Sequence, residues 1–241
     1  HQVQVNARND DYSDFGNHST WYAGYGYALD AHWKLTASAS TAFNAPTFND
    51  LFYPWGGNPD LKPEKSRAKE VGVQYAQGAT LVRAVAFSTR ISDLIGNDAS
   101  FNRANIDRAK IEGLEVSAST TLAAWRVQAA LTVQSPKDES TDQRLIRRAK
   151  QFGSLAVSRS IAAWELETVW HLSGDRLDAA SGTRHTLGGY GRVDLAARWQ
   201  FAPHWSLGLR AENVFDKDYE TAYGYASGGR AAFATLSYSG R

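Results

Sequence analysis

Apolar and polar residues alternate with a period of two along most of the chain. Between Trp125 and Gln134 the odd positions are Trp, Val, Ala, Leu and Val, and the even ones are polar except Ala130. From Trp205 to Glu212 one set is Trp, Leu, Leu and Ala, and the other includes Arg210 and Glu212. From Trp164 to Leu172 the set holding Trp164, Leu166, Trp170 and Leu172 is apolar apart from Thr168, while Glu165, Glu167 and His171 fall in the other. A strand with one dry and one wetted face needs this pattern; a helix would space its apolar residues three and four apart.

The pattern predicts twelve strands, at about 2–8, 18–29, 32–43, 66–76, 79–91, 109–122, 125–135, 149–160, 164–174, 189–201, 205–214 and 230–239. No segment has helical periodicity over ten residues, and no linker suggests a second domain. The connections 30–31, 77–78, 123–124, 161–163 and 202–204 are short. Those at 9–17, 44–65, 92–108, 136–148, 175–188 and 215–229 are long, and the two kinds alternate strictly. A soluble β-sandwich has no reason to sort its loops by length. A barrel of the bacterial outer membrane does, with tight periplasmic turns on one rim and long extracellular loops on the other.

Composition fits the barrel, though an aromatic-rich soluble sandwich would share it. Aromatic residues reach 12%, with 8 Trp and 11 Tyr, and there are 20 Gly. Mean hydropathy is −0.44, and no apolar run approaches the ~18 residues of a membrane helix. A barrel averages its wet lumen against its greasy exterior, so hydropathy does not reveal it, while Trp and Tyr gather at the two interfaces. A net charge of +1 gives no field that would select nucleic acid. With no Cys, disulfides and thiolate chemistry are excluded. With no Met, residue 1 is not a translation start, and no signal peptide is visible.

Two motifs carry a family resemblance. ENVFDKDYETAYGYASGGR at 212–230 resembles the C-terminal signature of TonB-dependent outer-membrane receptors, in which a strand end leads into the last extracellular loop and Gly-Arg closes it. NPDLKPEKS at 58–66 resembles the family's N-P-x-L-x-P-E-x-S ahead of a barrel strand. Within the family, KDYETAYGY at 217–225, LIRRAKQ at 145–151 and SDLI at 92–95 are most similar to the cobalamin (vitamin B12) transporters. The resemblance covers most of the chain after about residue 40.

It implies an all-β, antiparallel transmembrane barrel portion spanning residues 1–241, with about twelve strands, like the C-terminal half of a plugged barrel of about 22 strands. The implied function is binding and import of cobalamin or a related corrinoid with energy from TonB. The implied partners are cobalamin or another metal chelate, TonB through the plug, and outer-membrane lipid with lipopolysaccharide. The N-terminal plug that contacts TonB in the family has no counterpart in these residues, and the chain ends Ser239-Gly240-Arg241 where the family ends in an aromatic residue. Siderophore or haem receptors on the same fold are the alternative, and a passive porin-like channel is the alternative of another class. Twelve strands either close on themselves or are completed by others, because an open edge in lipid is not tolerated.

Candidate ligand contacts follow from residue chemistry. Phe48, Phe52, Tyr53 and Trp55 in loop 44–65 and Tyr219, Tyr223 and Tyr225 in the last loop offer aromatic faces to a large flat ligand, or else pack their own loops. Arg144, Arg147, Arg148 and Lys150 form a basic cluster suited to a phosphate of the ligand or of lipopolysaccharide, unless Asp138, Glu139 and Asp142 neutralise it. Asn9, Asp10, Asp11 and Asp14 supply hard oxygens but lack the spacing of a calcium loop. No cofactor is expected of this chain, and a calcium ion belongs at most to the intact protein. Arg192, Asp194, Arg198, Arg210 and Glu212 are expected to form an ion-pair lattice on the lumen wall. His171 and Ser173 have the spacing of an outer-membrane phospholipase pair, but their parity places them in the lumen, so no enzyme is expected.

Overall fold

A computed structural model of the chain describes residues 1–98, 100, 102–180 and 182–240. Residues 99 and 101 of the expected loop 92–108, and 181 of the expected loop 175–188, lie outside the described residues. The first strands are β1 (Gln2–Tyr12), β2 (Gly16–Ala28), β3 (Trp33–Asn44), β4 (Glu64–Gln77), β5 (Thr80–Asn97) and β6 (Arg103–Leu122), with a helix α1 (Phe48–Phe52) between β3 and β4. Then come β7 (Trp125–Asp138), β8 (Gln151–Ile161), β9 (Trp164–Ser173), β10 (Arg176–Ala180), β11 (Thr183–Leu187) and β12 (Tyr190–Ala202). The chain closes with β13 (Trp205–Glu212), β14 (Glu220–Ala222), β15 (Tyr225–Ala226) and β16 (Ala231–Tyr238).

Twelve of these strands form one antiparallel sheet in the order β1-β2-β3-β4-β5-β6-β7-β8-β9-β12-β13-β16. Because every neighbour in the sheet is the next strand of the sheet in sequence, all five tight turns share one rim. The sheet is open: among the described residues no ladder joins β1 to β16. Closure of these twelve strands on themselves is thereby set aside, and in lipid both edges require partner strands from outside the twelve.

The register fixes two chemically distinct faces. Leu131 pairs with Gly153, Gly153 with Leu172, Leu172 with Gly191, Trp199 with Leu207 and Leu207 with Leu236. One face therefore collects the apolar sets of neighbouring strands. The other carries Arg126, Glu165, Glu167, Arg198, Arg210 and Glu212. Buried side chains within the ladders, such as Val85, Ala109, Thr132, Asp194 and Ser206, lie on this polar face, whereas Val71, Leu131, Leu172 and Leu195 on the apolar face stay open. The polar face is thus the concave lumen wall, and the apolar face meets lipid.

Trp33, Tyr75, Trp125, Trp164, Trp199, Trp205 and Tyr238 line the lipid face beside the tight turns, as an interfacial girdle. Trp164 stacks on Trp199 with ring centres 5.3 Å apart, and Trp33 lies 4.9 Å from Tyr75. A cation, Arg159, sits among them between Val157 and Ile161 on the lipid face, with its guanidinium 5.1 Å from the Trp125 ring centre. That pairing gives a charge at the membrane boundary an aromatic partner. The turn Ala123–Ala124 takes φ values of 47° and 69°, the left-handed geometry that two-residue hairpins require and that Asn-Gly usually supplies.

Two expectations about the opposite rim need correction. The connection expected at 9–17 is strand for most of its length: β1 runs to Tyr12, β2 starts at Gly16, and only three residues turn between them. Polar residues extend this hairpin beyond the apolar band because cross-strand pairs hold them, as Ser19 Oγ donates to Asn9 at 2.8 Å. The expected 92–108 connection likewise shrinks to the residues between Asn97 and Arg103. Loops 175–188 and 215–229, in turn, contain the hairpins β10–β11 and β14–β15.

Candidate functional site: the loop rim and the lumen wall

The connection between β3 and β4 is built around α1. The Thr47 side chain caps it by accepting from the Asp50 amide at 3.2 Å, and the Asp50 carboxylate accepts from the Thr47 amide at 2.9 Å. Asp50 is buried and also meets Arg103, at the start of β6, at 2.8 Å. Burial alone would raise the Asp50 pKa, but the Thr47 hydroxyl and amide and the Arg103 guanidinium together hold it below the usual carboxylate range. Asn58 donates to the Arg103 carbonyl at 3.0 Å and Asn105 to the Lys62 carbonyl at 2.9 Å. These polar ties fasten the loop to the tip of β6, so its aromatic residues are not needed as packing. Phe48 and Trp55 are 81% and 80% exposed, Phe52 61% and Tyr53 50%.

The loops after β7, β9 and β13 form a second unit, centred on Asp178. Its carboxylate is 1% exposed; it accepts from Arg147 Nε at 2.9 Å, from the Tyr223 amide at 2.8 Å and from the Ala179 amide at 2.9 Å. Burial pushes its pKa up, and these donors pull it below the ordinary value. One carboxylate therefore joins the 139–150 loop, the β10–β11 hairpin and the β14–β15 hairpin. Nothing in the sequence marks Asp178, since its partners in the other two loops lie about 31 and 45 positions away.

The basic cluster is distributed within this unit. Arg144 pairs with Asp175 at 2.5 Å and Arg147 with Asp178, while Arg148 and Lys150 have no carboxylate partner among the described residues. The acids weighed against the cluster act elsewhere: Asp142 meets Lys137 at 2.9 Å and Glu139 meets Arg90 at 3.6 Å. Arg147, Arg148, Arg176, His171 and Tyr190 line a concavity of about 420 Å³.

The three tyrosines of the last loop divide. Tyr219 stacks on Tyr190 with centres 4.0 Å apart, and its hydroxyl accepts from Arg192 at 3.3 Å. Tyr223 stacks on His185 at 3.8 Å, and Tyr225 is 73% exposed. The turn motif is held by Asn213, which is buried with φ of 48°: its Oδ1 accepts from the Lys217 amide at 2.9 Å and its Nδ2 donates to the Lys217 carbonyl at 3.1 Å. The closing Arg230 donates its amide to Asp216 at 2.9 Å. No hydrogen bond, ion pair or ring contact links the α1 aromatics to these tyrosines among the described residues.

On the lumen wall the expected residues form ion pairs, but as separate pairs rather than one connected lattice. Asp194 accepts from Arg192 at 3.0 Å and from the Asn213 amide at 2.8 Å, and lies 3.4 Å from His171. Arg210 pairs with Glu212 at 2.5 Å and Arg198 approaches Glu165 at 3.9 Å. The Ser173 hydroxyl accepts from Arg176 at 2.8 Å and donates to the Gly174 carbonyl at 3.2 Å, which leaves it no arrangement as a His171-activated nucleophile. In the first hairpin, Asp10 is engaged by Arg8 at 2.7 Å, and no cluster of three or more potential metal ligands occurs among the described residues.

Comparison with known proteins agrees with this architecture. Vitamin B12 transporter BtuB of Vibrio vulnificus is 36% identical over 98% of the chain, and that of Photobacterium profundum is 32% identical over 98%. The chain spans 40% of the length of each. Among solved structures, the siderophore receptor PirA from Acinetobacter baumannii superimposes with a TM-score of 0.81 at 19% identity, over 98% of this chain and 43% of that one. A variant of the ferric enterobactin receptor PfeA from Pseudomonas aeruginosa, in complex with enterobactin, gives 0.80 at 20% identity, with the same coverage. The family described as TonB dependent receptor-like, beta-barrel matches residues 2–214, and the chain belongs to that family of outer-membrane receptors.

Proposed function

We propose that this chain is the ligand-capturing part of a barrel that imports cobalamin or a related corrinoid, with TonB supplying energy through a plug housed elsewhere in the intact protein. The observation that carries the reading is the α1 loop, which presents Phe52, Tyr53 and Trp55 to solvent while polar ties fasten it to β6. An exposed aromatic surface on a held loop gives contact area to a large, partly apolar ring system at small entropic cost. Tyr223 and Tyr225 of the last loop add a second surface, and Tyr219, stacked on Tyr190, is a third aromatic contact of that loop. The corrinoid phosphate is assigned to Arg148 and Lys150, with Arg144 and Arg147 fixing the loop. The two relatives named as vitamin B12 transporters support the ligand class.

Isothermal titration of the full-length protein with cyanocobalamin and with ferric siderophores tests this. Saturable heat with cyanocobalamin alone is expected. Tight siderophore binding with no cobalamin signal would move the protein to the siderophore receptors, and stable single-channel conductance without ligand preference would make it a passive channel.

A further inference from the structure

Beyond the apolar band of the lipid face, the register assembles a group of cations that no single stretch of sequence contains. Arg67 on β4 pairs with Arg90 on β5, Arg90 with Lys110 on β6, and Lys110 with Lys137 on β7. Four cations thus stand directly opposite one another across four adjacent strands, with Cα atoms of each pair ~4.5–5.5 Å apart. Like charges in that relation are destabilising. Lys69 sits two residues from Arg67 on the membrane side, and Lys65 and Arg108 flank the row on the outer side, linked through Ser92.

Compensation within the chain is incomplete. Lys110 meets Glu112 at 2.6 Å, Lys137 meets Asp142 and Arg90 meets Glu139. Lys65, Arg67, Lys69 and Arg108 form no ion pair among the described residues, and all four are exposed. Beneath the row the same face is apolar: Val71 on β4, Ala86 on β5, Leu114 on β6 and Val133 on β7 share one cross-strand row.

The height fits a membrane boundary. Arg67 lies eight residues along its strand from girdle residue Tyr75, and Lys137 twelve from Trp125. At ~3.4 Å per residue and a tilt near 40°, the row stands roughly 20–30 Å above the girdle, against an apolar band ~25 Å tall.

We propose that this face binds a phosphorylated, multi-acyl glycolipid of the outer leaflet, the lipid A moiety of lipopolysaccharide. Its phosphates would lie on the Arg67–Arg90–Lys110–Lys137 row, where guanidinium groups offer paired donors, and its acyl chains on the apolar rows below. This site is separate from Arg148 and Lys150, which belong to the loop rim, and it does not depend on which ligand the receptor imports.

The test is native mass spectrometry of the full-length protein, stripped of lipid in detergent and titrated with bisphosphorylated lipid A, its dephosphorylated form and phosphatidylglycerol. The wild type should hold one bisphosphorylated lipid A with at least tenfold lower half-saturation than either other lipid. Arg67→Gln/Arg90→Gln/Lys110→Gln should lose at least tenfold in that affinity, while Arg126→Gln on the lumen face should retain it. Equal retention of the dephosphorylated lipid or of phosphatidylglycerol by the wild type would overturn the proposal, as would an unchanged triple variant. Should the triple variant fail to fold, the wild-type comparison of phosphorylated with dephosphorylated lipid decides alone.

Discussion

Leu195→Arg is the substitution to which the assigned faces are most sensitive. Leu195 is 47% exposed on the lipid face of β12 and pairs with Thr168 on β9 and Ala211 on β13. It lies four residues from girdle residue Trp199, or ~10 Å in height for a strand tilted near 40°, close to the middle of a ~25 Å apolar band. An arginine there costs roughly 2–4 kcal/mol, falling to ~0–1 kcal/mol near an interface. Leu207, only two residues from Trp205, belongs to the second case, so Leu207→Arg should be nearly tolerated. Arg198→Leu on the lumen face removes an approach of 3.9 Å between two well-exposed charges, worth at most about 1 kcal/mol. The expected order of damage is Leu195→Arg first, with the other two small. Guanidinium unfolding of the full-length protein in lipid vesicles, followed by heat-modifiable mobility, measures it. Equal stability of Leu195→Arg and Leu207→Arg, or greater loss in Arg198→Leu, would refute the face assignment.

Asn213→Ala removes two hydrogen bonds and leaves a Cβ without compensation at φ of 48°; ~2–3 kcal/mol is at stake, and hydrogen exchange across 214–229 should rise by one to two orders of magnitude. Because the folded pKa of Asp178 is depressed, its contribution is fully present above its unfolded value of ~3.9 and is lost as pH falls through the folded value. Protection of the Ala179 and Tyr223 amides, corrected for intrinsic exchange, should therefore fall in acid below about pH 4 in the wild type and be low already at neutral pH in Asp178→Asn. Ala124→Gly should stabilise by about 0.5–1 kcal/mol, since glycine takes φ of 69° without strain, and an unchanged unfolding midpoint would count against the turn geometry. Trp55→Ala should weaken cyanocobalamin binding at least tenfold in titration calorimetry while leaving the thermal midpoint unchanged, because Trp55 is 80% exposed.

The sheet was legible because strand periodicity is local. Trp125, Trp164 and Trp205 begin alternating runs that need no tertiary information to read, and the tight turns between the runs set the order. Strand ends beyond the membrane were less legible, because the apolar signal stops at the band while pairing continues: residues 9–12 are polar yet remain in β1. The loop rim was legible as composition only. The aromatic residues of 48–55 and 219–225 could be named, but not that Tyr219 would stack on Tyr190 while Trp55 stayed open. Asp178 and the Arg67–Lys137 row were invisible for one reason: each is made by residues brought together through the register or loop packing, far apart in sequence. Local reading weighed Arg144 and Arg147 against Asp138, Glu139 and Asp142, whereas folding pairs them with Asp175 and Asp178.

The proposed role, corrinoid capture by the surface loops of an outer-membrane barrel, can be tested on whole cells. Equilibrium binding of radiolabelled cyanocobalamin to intact cells that make the full-length protein as their sole cobalamin receptor tests location, loop orientation and ligand together. Saturable surface binding is expected that unlabelled cobalamin displaces and ferric siderophores do not, reduced at least tenfold in affinity by Trp55→Ala combined with Tyr225→Ala. Cells that carry the folded protein in their outer membrane yet bind no cobalamin, or bind it equally well with both aromatic residues removed, would contradict it.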